Sequence, residues 1–282
     1  MTLLSFSQTL SLGDVLDQTV RVFRRRFILL TSLMVTFAIV SLAIRIALAG
    51  NWRDPFSIDA RPDFLTLLMQ TVFASVTAIA IAAFIGWVVY QDTTGKPVQI
   101  WVGLRELVQH WRSLVILSTP ILAEGLFTTS LYGGALAASQ IGWFACLAGW
   151  SGPLVFVFLK APFYFASISV AVENVGALTA LGRTWRLVSR SLLRVCLILG
   201  AVRFLTFIIE WTSTFLFAFV SSFLSLPTSG LILFYTVGGS IVYILTQPLV
   251  LVCVAIVYVT LRVKYEGLDL EFHLQHLNAR NP

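Results

Sequence analysis

The chain has 282 residues; 58% are hydrophobic, 11% are charged, and the formal net charge is +6. Soluble globular domains carry about 25% charged residues, so the composition excludes a soluble domain, a disordered tail and a small disulfide scaffold. On so apolar a chain, a basic excess points to anionic lipid headgroups and the positive-inside bias, not to nucleic acid.

The N-terminal segment has amphipathic helical spacing. Leu12, Leu16, Thr19, Phe23 and Phe27 share one side, and Asp14, Asp17, Arg21, Arg24 and Arg25 the other. Asp17 and Arg21 are spaced for an i,i+4 pair. Six apolar stretches then reach the roughly 20 residues a membrane helix needs. They are Phe27–Ala49, Phe64–Tyr90, Ser113–Gly134, Trp150–Val172, Val195–Phe217 and Gly238–Leu261. Ala47-Leu48-Ala49 resembles a signal-peptidase site, but the long lead before the apolar run and the adjacent Arg45 argue against cleavage. The last apolar run begins near Leu231. An unbroken helix from there to Leu261 is about 45 Å long, which predicts a lead-in before Gly238-Gly239 or a bend at Pro248.

Orientation follows from the basic residues. Arg21, Arg24, Arg25, Arg26, Lys96, Arg105, Arg112, Arg183, Arg186, Arg190, Arg194, Arg262, Lys264 and Arg280 fall on one side of this topology, and only Arg53 and Arg61 on the other. Both termini are therefore expected in the cytoplasm. Trp52, Trp143, Trp150 and Trp211 mark the outer interface; Trp87, Tyr90, Trp101, Trp111 and Trp185 mark the inner one.

Each cytoplasmic segment repeats one pattern. Gly13, Gly103 and Gly176 each open an amphipathic stretch, an aromatic-basic pair follows, and a span comes next. The chain reads as one all-α polytopic membrane domain over 1–282. It contains a threefold pseudo-repeat at about 10–90, 97–172 and 173–262, with a tail over 263–282. In the third stretch Leu178, Leu181, Trp185, Val188 and Leu192 share a face, opposite Arg183, Arg186, Arg190 and Arg194. Such helices lie at the interface. Two readings stay open. Arg21, Arg24, Arg25, Arg183, Arg186, Arg190 and Arg194 contact anionic lipid or an acidic partner, or the helices only orient the hairpins.

Five ionisable residues fall inside the spans: Arg45, Glu124, Lys160, Arg203 and Glu210. Buried charge is costly there and usually faces the bundle interior or water. Glu124, Lys160 and Arg203 lie at similar depth near the middle, and Glu210 and Arg45 nearer the outer face. Pro120, Pro162 and Pro248 accompany them; each frees a carbonyl four residues earlier. The group is either a polar site for a substrate, an ion or a lipid headgroup, or a set of structural ion pairs.

Chemistry-bearing motifs are missing. There is no GxxxxGK[ST] loop, no HExxH, no histidine within a span and no paired-glutamate protease motif. His273 and His276 read as a solvated face. His110 sits near the inner interface without an obvious Cys or Ser partner. Cys146, Cys196 and Cys253 are odd in number and sit in apolar runs, so they read as small buried hydrophobes. No enzyme activity, metal or cofactor is expected.

Three segments carry a family resemblance: Leu12-Gly13-Asp14-Val15-Leu16-Asp17-Gln18-Thr19-Val20-Arg21 with Val22-Phe23-Arg24-Arg25, Glu173-Asn174-Val175-Gly176-Ala177-Leu178 with Trp185-Arg186-Leu187-Val188, and Tyr258-Val259-Thr260-Leu261-Arg262 with Lys264-Tyr265-Glu266-Gly267. The chain resembles the glycerophosphoryl diester phosphodiesterase membrane domain and related uncharacterised prokaryotic polytopic proteins. The resemblance implies a prokaryotic inner-membrane protein. In relatives that are phosphodiesterases, a separate barrel of roughly 250 residues carries the catalysis, and this chain has no room for it. The expected function is a non-catalytic scaffold or accessory subunit, with membrane lipids and other membrane proteins as partners. The alternative is a transporter or lipid-handling protein. Glu266 and Asp269 are expected to meet basic residues of the interfacial helices.

Overall fold

The computed structural model describes residues 11–49, 64–137, 156–224 and 228–267. Among the described residues every regular element is helical. Nine α-helices follow in order: α1 (Leu12–Arg25), α2 (Phe27–Ala49), α3 (Phe64–Thr93), α4 (Ile100–Gln109), α5 (Trp111–Ala137), α6 (Ala161–Glu173), α7 (Ala177–Ser189), α8 (Leu192–Leu224) and α9 (Thr228–Glu266), with a π-helical turn at Phe156–Lys160 leading into α6. Leu68–Thr93, Leu192–Phe223 and Val237–Glu266 are long and apolar enough to cross a membrane. A fourth crossing is added if α6 and α7, bent by 116° at their junction, count as one broken span. These apolar helices mark a multi-pass membrane protein. Cys146, Trp52, Trp143, Trp150, Asp269, His273, His276 and Arg280 lie outside the described residues, as does the side chain of Arg45.

The short helices start and stop for local reasons. Ser11 caps α1 by accepting the Asp14 amide at 3.1 Å, and Asp14 at the start with Arg24 and Arg25 at the end complement the helix dipole. Asn174 ends α6 in the left-handed conformation, at φ 56°, which its short polar side chain tolerates. Gly176 then caps α7 with extended backbone. α4 departs from expectation: it begins at Ile100, and Gly103 lies inside it, not at its start.

The amphipathic faces are also rotated from those the spacing predicts. In α7 the buried residues are Ala177, Ala180, Thr184, Leu187 and Val188, while Leu178 and Trp185 are exposed. Small side chains let α7 approach its neighbours, and the predicted stripe is split: Val188 is buried and Leu181 packs at the core margin, while Leu178 and Trp185 stay outside. In α1 the buried line is Val15, Thr19 and Val22, with Leu16 and Phe23 at its margin.

α9 is the central element. It runs unbroken from Thr228 through Gly238-Gly239 and Pro248 to Glu266, so no separate lead-in segment precedes Gly238-Gly239. At the standard rise it is about 58 Å long. From Val250 to Val263 all its residues are buried, as expected of a helix enclosed on every side. α1, α2, α3, α6, α7 and α8 all pack against it. The buried stretch Ile79–Val89 of α3 and Tyr164–Ala171 of α6 complete the core.

Proline in α5 is accommodated locally. Pro120 leaves the Ile116 carbonyl without its helical donor, and the Thr119 hydroxyl donates to that carbonyl at 2.8 Å. A neighbouring hydroxyl thus satisfies the freed group, as required where water is absent.

α3 and α6 approach closely at Gly86. A Cβ at Gly86 would stand 2.3 Å from Ile168 Cγ1, whereas one at Gly182, exposed within α7, would meet nothing within 4 Å. The two glycines should therefore respond oppositely to alanine. Gly86→Ala should destabilise the detergent-purified protein by about 1–3 kcal/mol through overpacking. Gly182→Ala should stabilise it by up to about 1 kcal/mol through helix propensity. Equilibrium unfolding of both variants checks the pair.

Candidate functional site

The sharp bend between α6 and α7 brings charged side chains back onto the end of α9. Glu173, the last residue of α6, is 8% exposed, and Arg262 of α9 is 9% exposed. Their groups meet at 3.1 Å. Arg183 of α7 reaches the same carboxylate and also grips Glu266 through a two-pronged contact, Nε to Oε1 at 2.7 Å and Nη2 to Oε2 at 2.6 Å. Arg262 closes the ring on Glu266 at 3.0 Å. The Tyr258 hydroxyl donates to Glu173, and the Ser169 hydroxyl donates to it at 3.3 Å. Two guanidinium groups and two carboxylates make the quartet neutral. Forked arginine–carboxylate contacts of this kind are the strong ones.

The quartet unites two of the segments that carry the family resemblance. Glu173 belongs to the central one and Arg262 and Glu266 to the last, with Tyr258 beside them; Arg183 lies between the two quoted stretches of the central one. The N-terminal segment joins them by packing: Val15, Thr19 and Val22 of α1 are buried in the same core, and α1 packs on α9. Glu266 meets Arg183 as expected, while Asp269 lies outside the described residues. A second junction works similarly. Asp92, near the end of α3 and 5% exposed, receives Arg26 at 2.6 Å and Arg25 at 3.5 Å. It anchors the α1–α2 corner to α3.

Four of the five ionisable residues expected within spans are described, and they form two pairs. Glu124 of α5 and Lys160 of the π-helical turn form an ion pair at 3.0 Å. Arg203 does not join them as a third direct partner. It turns along its own helix, α8, to Glu210 at 2.9 and 3.2 Å. Glu210 also accepts Thr246 of α9 at 3.2 Å. Two turns of helix separate Arg203 and Glu210, a gap that the long arginine side chain spans. Tyr164 of α6 lies within electrostatic reach of Glu124 and Arg203, linking the neighbourhoods of the two pairs. Spacing within a span identified these residues; it could not reveal which way each side chain turns.

Two cavities lie among the arginines of the short helices. The first, about 300 Å³, is lined by Arg183, Arg186, Leu187, Arg190, Tyr265 and Glu266. Here Arg190 stacks on the Tyr265 ring at 5.6 Å, and Ser191 and Tyr265 share a hydrogen bond. The second, about 340 Å³, is bounded by Arg24, Arg25 and Arg26 with Phe27, Ile28, Leu29, Ser32 and Ile100. Neither includes Glu124, Lys160, Arg203 or Glu210. Arg21 pairs with Asp17 at 2.8 Å on the exposed side of α1, a contact worth little in water. Arg194 is exposed in the first turn of α8.

Among the described residues, no group of three His, Cys, Asp or Glu side chains is placed to hold a metal ion. Cys253 is buried and Cys196 half-buried, and both are free thiols. No family model, curated protein or solved structure matches this chain.

Sequence reading missed Glu173, Asp92 and Arg262 as interacting residues. The available signal was an acidic residue at the end of an apolar run, where the lipid side offers it no other neutraliser. Removing one partner from a buried pair leaves the other charge stranded, at a cost of about 3–5 kcal/mol. Glu173→Gln should lower stability by roughly that amount. Glu173→Gln combined with Arg262→Met should recover part of the loss. Unfolding of the single and double variants in mixed micelles measures both.

Proposed function

We propose that the protein is a non-catalytic membrane scaffold or accessory subunit, with six spans and both termini in the cytoplasm. The observation that carries this reading is the internal pairing of its intramembrane charges. Glu124 is neutralised by Lys160 and Arg203 by Glu210. Charges so paired need no substrate or ion to balance them. Exposed basic residues outside any ion pair among the described residues include Arg24 of α1, Arg186 of α7, Arg190 just after it and Arg194 at the start of α8. A cytoplasmic face resting on anionic headgroups suits that distribution.

Element order supports the threefold pseudo-repeat. A short amphipathic helix, then a long helix, then a more central one occurs as α1-α2-α3, α4-α5-α6 and α7-α8-α9. The last member of each set holds the most enclosed stretch of its set. The resemblance to the phosphodiesterase membrane domain is consistent with this role. Several of the residues that carry it here hold helices together.

A specific observation keeps transport or lipid handling as the second reading. Lys160 ends a π-helical turn, and such turns recur at functional sites. Double-mutant analysis separates the readings. For a structural pair, Glu124→Gln and Lys160→Met each lower the unfolding midpoint, and the double variant recovers most of the loss. A transport site predicts instead that all three variants stay as stable as the parent.

A further inference from the structure

The cavity at the α1–α2 corner has two chemically distinct ends. One end is cationic. Arg24, Arg25 and Arg26 contribute three guanidinium groups, and Asp92 is the one carboxylate in salt-bridge range of them among the described residues. Arg26 is committed to Asp92 through both Nε at 3.0 Å and Nη2 at 2.6 Å. Arg25 makes only a longer contact, and Arg24 is exposed with no ion pair among the described residues. Two units of positive charge are therefore left over, and the Arg26–Asp92 contact fixes the corner that presents them.

The other end is apolar. Phe27, Ile28 and Leu29 line it from α2, and Ile100 closes it from α4. Ile28 is 83% exposed and Ile100 47%, so their burial is unfinished. The Ser32 hydroxyl is turned back to the Leu29 carbonyl at 2.9 Å, which removes the one polar side chain at this end. The apolar lining continues along α2 through the exposed Val35 and Ile39. The other arginine-lined cavity has no comparable strip; Leu187 is its sole aliphatic wall.

A free phosphate would use the first end and leave the second in water. A zwitterionic lipid would use the second and place its own cation beside Arg24. We infer that this cavity binds one anionic phospholipid of the surrounding leaflet. Its phosphate sits between Arg24 and Arg25, and an acyl chain lies along Ile28, Ile100 and the outer face of α2. Forked guanidinium–phosphate contacts fix the headgroup, and chain burial adds the apolar contribution. The inference rests on the proposed cytoplasmic placement of the arginine face and specifies its ligand.

Native mass spectrometry of the full chain in mild detergent tests it, with phosphatidylglycerol, phosphatidylcholine and soluble glycerol phosphate as probes. Phosphatidylglycerol should be retained about tenfold better than phosphatidylcholine, the scale of one charge-assisted contact. Arg24→Gln with Arg25→Gln should erase that preference, and Arg24→Gln alone should reduce it. The single variant removes an exposed side chain with no ion pair, so it gives a readout even if losing Arg25 disturbs the corner. Ile100→Ser should weaken retention of both lipids, Arg186→Gln should change neither, and glycerol phosphate should fail to displace the lipid. Equal retention of the two lipids would overturn the site. So would an unaltered preference in Arg24→Gln, or displacement by glycerol phosphate, which marks a free-phosphate site. The Glu124–Lys160 result is independent of this one, so failure here leaves the scaffold reading standing.

Discussion

A carboxylate enclosed in an apolar bundle must be neutralised where it lies, because lipid and packed side chains provide no solvation. Glu173 imposes that constraint on the rest of the fold. It sits where α6 ends, and three groups reach it from two other helices: Arg183, Arg262 and Tyr258. Meeting it requires the reversal at Asn174, the position of α7 against the bundle, and the register of α9. Glu266 then balances the second arginine. Shifting α9 by one residue would rotate both Arg262 and Glu266 away from their partners.

The same logic recurs at each place where charge enters the apolar interior. Asp92 fixes the α1–α2 corner through Arg25 and Arg26; Lys160 ties the π-helical turn to α5; Arg203 and Glu210 neutralise one another on α8 beside Thr246 of α9. Charge balanced inside the bundle leaves unpaired arginines on the short helices, Arg24 of α1 and Arg186 of α7 among them. The proposed interfacial placement of α1 and α7 suits this distribution, with the exposed Leu178 and Trp185 as apolar surface beside the arginines of α7. The proposed surface recruitment thus draws on the same charge distribution as the structural pairing.

Helical periodicity and apolar run length were enough to locate most helices and to single out Glu124, Lys160, Arg203 and Glu210. A basic partner for Glu266 is expected from the C-terminal segment that carries the resemblance, not from periodicity. What escaped was facing. Depth along a span places Arg203 beside Glu124 and Lys160, yet the side chain turns toward Glu210 on its own helix. In α7 the spacing puts Leu178, Leu181, Trp185 and Val188 on one face, yet only Val188 of these is buried. The bundle instead takes Ala177, Ala180 and Thr184, because in an apolar solvent small side chains permit close packing while large ones gain little by burial. Glu173 was equally hidden, since its importance depends on a bend that joins residues more than 80 positions apart.

The central claim is that the clasp between α7 and α9 is an energetic unit. A double-mutant cycle of Arg183→Met and Glu266→Gln, followed by reversible unfolding in mixed micelles, tests it most directly. A coupling energy of about 1 kcal/mol or more is predicted for contacting charges in one network. Losses that add within about 0.3–0.5 kcal/mol, the behaviour of independent sites, would contradict it.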